Sequence, residues 1–502
     1  MSADQLTPIV AQGRNCWRIA RATHASVIVD AADYYRIIAA AMEAAQQRIF
    51  IVGWDFDTRI ALAPDEHGKG ETLGRFFLRL AKAKPERQID ILKWNFGALK
   101  QFFRPAAIVW LARWWRTETI DFRFDSSHPP GCSHHQKIVI IDESLAACGG
   151  IDISTARWDT CGHLDDDPHR TGPDGKPYRP WYDATMLLRG DVAGVLGDLG
   201  RERWKVATRA DLAPIDPCED DWPTDLDPMF RDVDIAIART RAAYDNLSEV
   251  REIETLYLDM IAAAQRFIYF ENQYFTSGKI AAAIATRMAE DDPPEIVMVM
   301  PRTADGWLEQ QAMDAARLRL VATIGKADRH DRFRVYIPVT KAGADIYVHA
   351  KVSILDDRLL RVGSSNLNNR SQGLDSECDV IVDAGLAANR GSEAAMTQLR
   401  YRLIAEHLGC SPDEVAAGEK EKGSMIAAIE ALRGPGKTLD LLEMEDLSEV
   451  QIALADNEVL DPESPDEMFE PFGKHGMAQS WAKGKAMVGR RLGRKAAVAR
   501  AG

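Results

Sequence analysis

Two short stretches carry residues whose types and spacing could do chemistry. His135-Gln136-Lys137-Ile138-Val139-Ile140-Ile141-Asp142 reads His-x-Lys, four residues, then Asp, and the pattern returns at His349-Ala350-Lys351-Val352-Ser353-Ile354-Leu355-Asp356. Each is an apolar, strand-like run with three polar residues that an ordinary core strand does not carry. Seven residues past each Asp comes a small turn, Gly149-Gly150-Ile151-Asp152 and then Gly363-Ser364-Ser365-Asn366. One such motif is weak evidence. Two, with the same trailing turn at the same spacing, are strong evidence for a catalytic reading over a solvated strand edge.

Alternate side chains of a strand face one way, so His135 and Lys137 point together, as do His349 and Lys351. Asp152 and Asn366 each follow their His by 17 positions. That is the length of a strand, a tight turn and a return, which brings a polar group and backbone N–H donors near each His-Lys pair. Joining the halves puts two imidazoles and two ammonium groups in one pocket, a set suited to displacement at phosphorus. The ammonium groups, backbone donors at Gly149, Gly150 and Ser364, and the amide of Asn366 would hold the nonbridging oxygens. One neutral imidazole would attack phosphorus; the other, protonated, would give its proton to the leaving oxygen. Histidine suits both jobs because its unperturbed pKa is ~6.5. The set asks for no metal and no cofactor. Each imidazole needs an orienting carboxylate. Glu377, at the start of a strand-like run, and Asp183, in Pro180-Trp181-Tyr182-Asp183, are the candidates, with a strand-end salt bridge the plainer reading of both. His134, His163 and His169 read as loop residues.

The elements that must position these groups repeat. Asp30 to Gln47 has the apolar spacing of a helix face and leads into a strand from Arg48 to Trp54; Val250 to Gln265 leads in the same way into Arg266 to Phe270. The two helix–strand units are offset by 218 residues and the two motif His residues by 214. Further strands are expected at Ile89–Leu92 and Ile296–Val299, and at Phe122–Phe124 and Phe333–Val335. The expected fold is α/β: two similar α/β repeats, each a mixed sheet flanked by helices, packed pseudo-symmetrically around one active site. The repeats are expected at 1–208 and 236–410, joined by an acidic, Pro-rich linker at 209–235, with a C-terminal extension at 411–502. Residues 160–183 read as a long surface loop.

The bulk numbers bound the partners. The 502-residue chain carries a net charge of −14, which argues against a nonspecific grip on nucleic acid. Its seven cysteines show no Cys-x-x-Cys spacing, so reduced thiols and no zinc site are expected. No secretory signal or apolar run of spanning length is present, so the expected location is cytoplasmic or peripheral to a membrane, with signal-less export left open. Two segments could meet a lipid surface. Residues 100–116 interleave Trp110, Trp114 and Trp115 with Arg104, Arg113 and Arg116, and the stretch after Glu470 holds eight Lys or Arg and no acid. A helix packed on the sheet and a disordered tail are the plainer readings.

The chain resembles the phospholipase D superfamily, whose members carry two His-Lys-Asp motifs. More narrowly, it is similar to the bacterial branch close to eukaryotic phospholipase D. The closer match rests on Gly149-Gly150-Ile151-Asp152 with Arg157-Trp158-Asp159, on Pro180-Trp181-Tyr182-Asp183, on Glu271-Asn272-Gln273-Tyr274-Phe275 and on Glu406-His407-Leu408-Gly409. The resemblance implies hydrolysis or transphosphatidylation of a glycerophospholipid through a phosphohistidine, by a monomer. It implies His135 as nucleophile, His349 as general acid, Lys137, Lys351 and Asn366 on the phosphate, and Asp142 and Asp356 as structural. Asp152 stands where the pattern often has Asn, and Tyr182 where His is common. The rivals are a cardiolipin synthase-like phosphatidyltransferase, an endonuclease of the same superfamily, and a non-enzymatic membrane scaffold.

Overall fold

The computed structural model describes residues 6–65, 69–94, 105–218, 222–304, 307–443 and 461. The basic tail therefore lies outside the described residues, as does the start of the 100–116 segment.

One mixed sheet of 16 strands runs through the molecule. In the first half of the chain its strands are β1 (Arg18–Val29), β2 (Arg48–Gly53), β3 (Gln88–Trp94), β4 (Ile120–Asp125), β5 (Ile138–Ile141), β6 (Leu145–Gly149) and, after the short β7 (Trp181–Tyr182), β8 (Ala184–Arg189). In the second half they are β9 (Phe230–Arg241), β10 (Val250–Arg251), β11 (Phe267–Glu271), β12 (Glu295–Val299), β13 (Phe333–Val339) and, after the short β14 (Tyr347–Val348), β15 (Val352–Leu355), β16 (Leu359–Gly363) and β17 (Glu377–Asp383). The strand order reads β4-β3-β2-β5-β6-β8-β1 from one edge to the centre, then β9-β17-β16-β15-β11-β12-β13 outward. The second sequence of roles mirrors the first. At the centre, β1 and β9 pair antiparallel from Arg18↔Ile237 to Ala25↔Phe230.

Alternation along the strands explains why both faces are covered. Phe50 and Val52 of β2 enter a core shared by both halves, whereas Ile49 and Ile51 enter a separate core under the helices Ala31–Ala44 and Leu73–Ala83. On β11, Phe267 and Tyr269 face the shared core and Ile268 and Phe270 face the helices Glu252–Ala263 and Gly278–Met288. A strand buried on both faces calls for a near-continuous apolar run, which Ile49–Val52 of β2 and Phe267–Phe270 of β11 supply.

The expected helices and strands of each half are present within a few residues. Three expectations are corrected. Residues 230–235, placed in the linker, begin the central strand β9, with Val233 and Ile235 buried. The loop at 160–183 is anchored, since His163 is 1% exposed and Arg170 is 2% exposed. The extension beyond 410 is partly built into the fold: helices Pro412–Lys422 and Met425–Leu432 precede β18 (Thr438–Leu441), which pairs with β13. Of the 100–116 segment, the helix Pro105–Trp114 buries Leu111 and Trp114, while Val109 and Trp115 are exposed. Among the described residues, no helix is long and apolar enough to cross a membrane.

Candidate active site

Each motif strand is half of a tight hairpin. Asp142 and Glu143, between β5 and β6, and Asp356 and Asp357, between β15 and β16, all have φ between 50° and 56°. The paired positive φ values sit at the centre of a β-turn closed by Ser144 N–H on the Ile141 carbonyl and by Arg358 N–H on the Leu355 carbonyl, within three-residue hairpin loops. The motif aspartates also work outside the pocket. Asp142 accepts backbone N–H bonds from Gln46 (2.5 Å), Gln47 (2.7 Å) and Arg48 (2.6 Å). Asp356 accepts the same three in its half, from Gln265, Arg266 and Phe267, each at 2.8 Å. Each carboxylate thereby ties the helix-to-strand turn ahead of β2 or β11 to its own hairpin.

The catalytic candidates precede β5 and β15 rather than lying inside them. His135 N–H donates to the Ser376 carbonyl (2.8 Å), and His349 N–H donates to the Tyr182 carbonyl (2.7 Å). Around these bonds, β14 runs parallel to β7 and His134 bridges to Ser376. Each His is thus laid beside the segment that carries the other half's carboxylate. His349 Nδ1 lies 2.7 Å from Asp183 Oδ2, and His135 Nδ1 lies 3.1 Å from both oxygens of Glu377. The orienting carboxylates cross between the halves, a pairing the order of residues does not reveal. With Nδ1 held, Nε2 is the nitrogen of each ring without a protein partner among the described residues.

The two imidazoles share one electrostatic environment. Burial, then Lys137 and Lys351, pull the His135 pKa well below its ordinary value. Burial, then Lys351, Arg157, Lys137 and His135 itself, do the same to His349. Burial also lowers Lys351 to about 7 and raises Glu377 to about 8. Asp183 is raised as well, with burial again the largest cause and Lys351 opposing it. Burial and the neighbouring cations disfavour the charged form of both rings, which favours neutral imidazoles.

Lys137 Nζ donates to the His135 carbonyl (2.9 Å) and lies 3.3 Å from Asp152 Oδ2. Asp152 therefore balances a lysine. Lys351 donates to the His349 carbonyl and to Gln273 Oε1 (3.1 Å). Asn366 is 3% exposed and its Oδ1 has no partner among the described residues.

The turn donors are arranged differently from expectation. Gly149 and Gly363 donate to the Lys137 and Lys351 carbonyls, Gly150 to Ala184, and Ser364 to Cys378, so these N–H groups are already engaged by protein. Gly149 and Gly363 instead permit close strand approach, since a Cβ would run into the Cα of Thr185 or Asp379. Ser364 Oγ and Ser371 Oγ both donate to Glu377, at 2.5 and 2.6 Å, so Ser364 supports the His135 partner.

Other residues were misread or missed in the sequence. Tyr182 is fully buried and turned from the pocket, with its hydroxyl on Glu271 (2.8 Å), which also accepts from Tyr269 (2.7 Å) and lies 3.0 Å from His407 Nε2. His134 is buried between Asp125 and Ser376, and His163 joins Asp159 (3.0 Å) to Glu406 (3.3 Å). Ligand atoms of Asp30, His163 and Glu406 lie within 4.8 Å of one another. Trp54 meets His135 edge-on at 5.9 Å and stacks on Trp94 at 5.8 Å. Trp181 lies 5.1 Å from the His349 ring. Aromatic residues near a motif were legible; which ring walls which His was not.

Comparison with known proteins points to a family. Residues 257–396 match the family described as cardiolipin synthase, PLD-like domain. Phospholipase D1 of Saccharomyces cerevisiae is 27% identical over 384 residues, 58% of this chain and 23% of that protein. Phospholipase D A of Dictyostelium discoideum is 26% identical over 480 residues, 79% of this chain and 37% of that protein. These matches support the phospholipase D superfamily for this chain. It spans well under half the length of these two relatives. The crystal structure of phosphatidylserine synthase from Haemophilus influenzae Rd KW20 shares the fold, with a TM-score of 0.54 over 96% of each chain at 12% identity. The superfamily supports a phosphodiesterase-type enzyme.

Proposed function

We propose that the protein is a phospholipase D acting on glycerophospholipids through a covalent phosphohistidine. The observation that carries the reading is the crossed pairing, His135 on Glu377 and His349 on Asp183. It holds both Nδ1 atoms and leaves two Nε2 atoms for one phosphorus.

His135 Nε2 attacks phosphorus, a P–N bond forms, and the P–O bond to the head-group alcohol breaks. His349 gives its Nε2 proton to that departing oxygen. His349 then takes a proton from water, the water oxygen attacks phosphorus, and the P–N bond breaks to leave phosphatidic acid. An alcohol in place of water gives transphosphatidylation. Substrate supplies the missing protonation: a phosphodiester monoanion between Lys137 and Lys351 offsets the cations that depress His349, so that ring takes up its proton on binding. Asn366 and the two ammonium groups steady the nonbridging oxygens. The exposed Val109 and Trp115 mark the side we assign to the lipid surface.

Release of choline or ethanolamine with phosphatidic acid from phospholipid, measured beside plasmid nicking, tests the reading. Nicking alone would make the protein a nuclease. The description of the matched family favours phosphatidyl transfer as the second reading, and product analysis with added glycerol or phosphatidylglycerol separates transfer from hydrolysis.

A further inference from the structure

Most buried guanidinium groups in this protein have acids beside them, and Arg87 is met instead by the carbonyls of Met42, Glu43, Ala45 and Leu80. Arg361 pairs with Asp379, Arg400 with Asp357 and Glu419, Arg203 with Asp125, and Arg170 with Asp159. The half-buried Arg157 has neither kind of partner set. Among the described residues it has no carboxylate within ion-pair distance, and its one hydrogen bond is a long one (3.4 Å) from Nη1 to the carbonyl of Ala156. Its Nε is buried without a partner. The guanidinium lies over the ring of Trp181, 4.1 Å from the centroid, and the Trp181 Nε1–H is likewise buried without a partner. An unpaired cation beside two unmet N–H donors lacks an acceptor.

The position is fixed from below. Asp159, two residues after Arg157, accepts the backbone N–H of Trp181 at 2.8 Å, which registers the one segment on the other. Trp181 in turn lies 5.1 Å from His349 and stacks on Tyr347 at 4.7 Å. The Arg157 charge bears on His349, Lys351 and Asp183. The His135 side is different, walled by the stacked Trp54 and Trp94.

We infer that Arg157 and Trp181 form an anion subsite on the His349 side, which takes a negative group on the head-group alcohol. This rests on the reading above, in which His349 protonates the departing head group, so the alcohol lies on that side. The ligand class is a head group with its own oxyanion, a carboxylate or a second phosphate, held by the guanidinium and the indole N–H. A quaternary ammonium is disfavoured there, because the indole face that would attract it is covered by a cation.

The test uses two monomeric short-chain lipids that differ by one carboxylate, dihexanoyl phosphatidylserine and dihexanoyl phosphatidylethanolamine, so that vesicle charge plays no part. The native protein is expected to favour the serine lipid by about tenfold in kcat/KM, the size of one charge-assisted hydrogen bond. In Arg157→Gln the ratio falls to about one, and in Arg157→Lys, which keeps the charge without the fork, it lies between. A parallel arm needs no turnover: calorimetric affinities of O-phosphoserine and phosphoethanolamine should show the same preference and the same loss. A native ratio of one in both arms overturns the subsite, as does an Arg157→Gln protein that loses both ligands equally. A binding preference without lipid cleavage keeps the subsite and rejects the phospholipase reading.

Discussion

Glu377→Gln should make the protein more stable at alkaline pH and less active, and the stability change should depend on pH. Glu377 is fully buried, and burial raises its pKa from 4.5 to about 8 against the opposing pull of Lys137 and two serine hydroxyls. At about 1.4 kcal/mol per pKa unit, ionising it in the folded state costs up to about 5 kcal/mol relative to the unfolded chain. The sign follows from the raised value. Below pH 4.5 the carboxyl is neutral in both states and the penalty is nil; it grows as pH rises and levels off above about 8. Glutamine removes that penalty but weakens the bonds from Ser364 and Ser371 and the hold on His135 Nδ1. A net gain of about 2 kcal/mol at pH 8.5 is expected, turning into a loss of about 3 kcal/mol by pH 4.5, where only the weakened bonds remain, read as the shift in urea midpoint between variant and native protein. Turnover should fall by ~10²-fold or more, because the ring loses its orienting acceptor. A variant less stable than the native protein at pH 8.5 by an amount independent of pH would refute the reasoning: the native carboxylate would then be ionised and net stabilising.

Three further outcomes follow from the same geometry. His135→Asn and His349→Asn should each lower kcat by at least ~10⁴-fold with little change in urea midpoint, and a loss under tenfold in either would remove that ring from the reaction. Because both rings are held well below their ordinary pKa in the free protein and His349 takes up its proton on binding, kcat/KM should keep rising as pH falls through 6.5 and turn down only well below it; an acid limb at or above 6.5 would contradict this. Asp142→Ala leaves three backbone N–H groups without their acceptor and should lower stability by about 3 kcal/mol, most clearly in hydrogen exchange at Gln46, Gln47 and Arg48; unchanged exchange there would show that the bonds contribute nothing.

Much of the fold was legible because its period is local. β2 and β11 carry apolar runs, Ile49–Val52 and Phe267–Phe270, since both faces are buried, and the helices ahead of them show one apolar face. The central strand β1 was hidden by Arg21, Thr23 and His24, whose setting comes from its neighbours β8 and β9 rather than from its own pattern. The same limit applies at the site. His135, Lys137, His349 and Lys351 announce themselves by spacing, and Glu377 and Asp183 by chemical need, but the crossing of each carboxylate to the other half's ring depends on pairings over 166 and 242 positions. The glycines and Ser364 were read as anion donors because turns after motifs offer free N–H groups; here the neighbouring strands take them up. His163 sits in an Asp- and Pro-rich loop, and nothing local says that Asp159 and Glu406 bury it.

The central claim is that His135 carries the phosphatidyl group. Rapid quenching of the protein with phosphorus-labelled phospholipid in alkaline denaturant, followed by digestion under basic conditions and mass spectrometry, tests it directly. The account predicts an acid-labile, base-stable phosphoryl adduct on His135, formed at a rate no slower than turnover. An adduct on His349 instead, or steady turnover with no protein-bound phosphorus at any time, would contradict it.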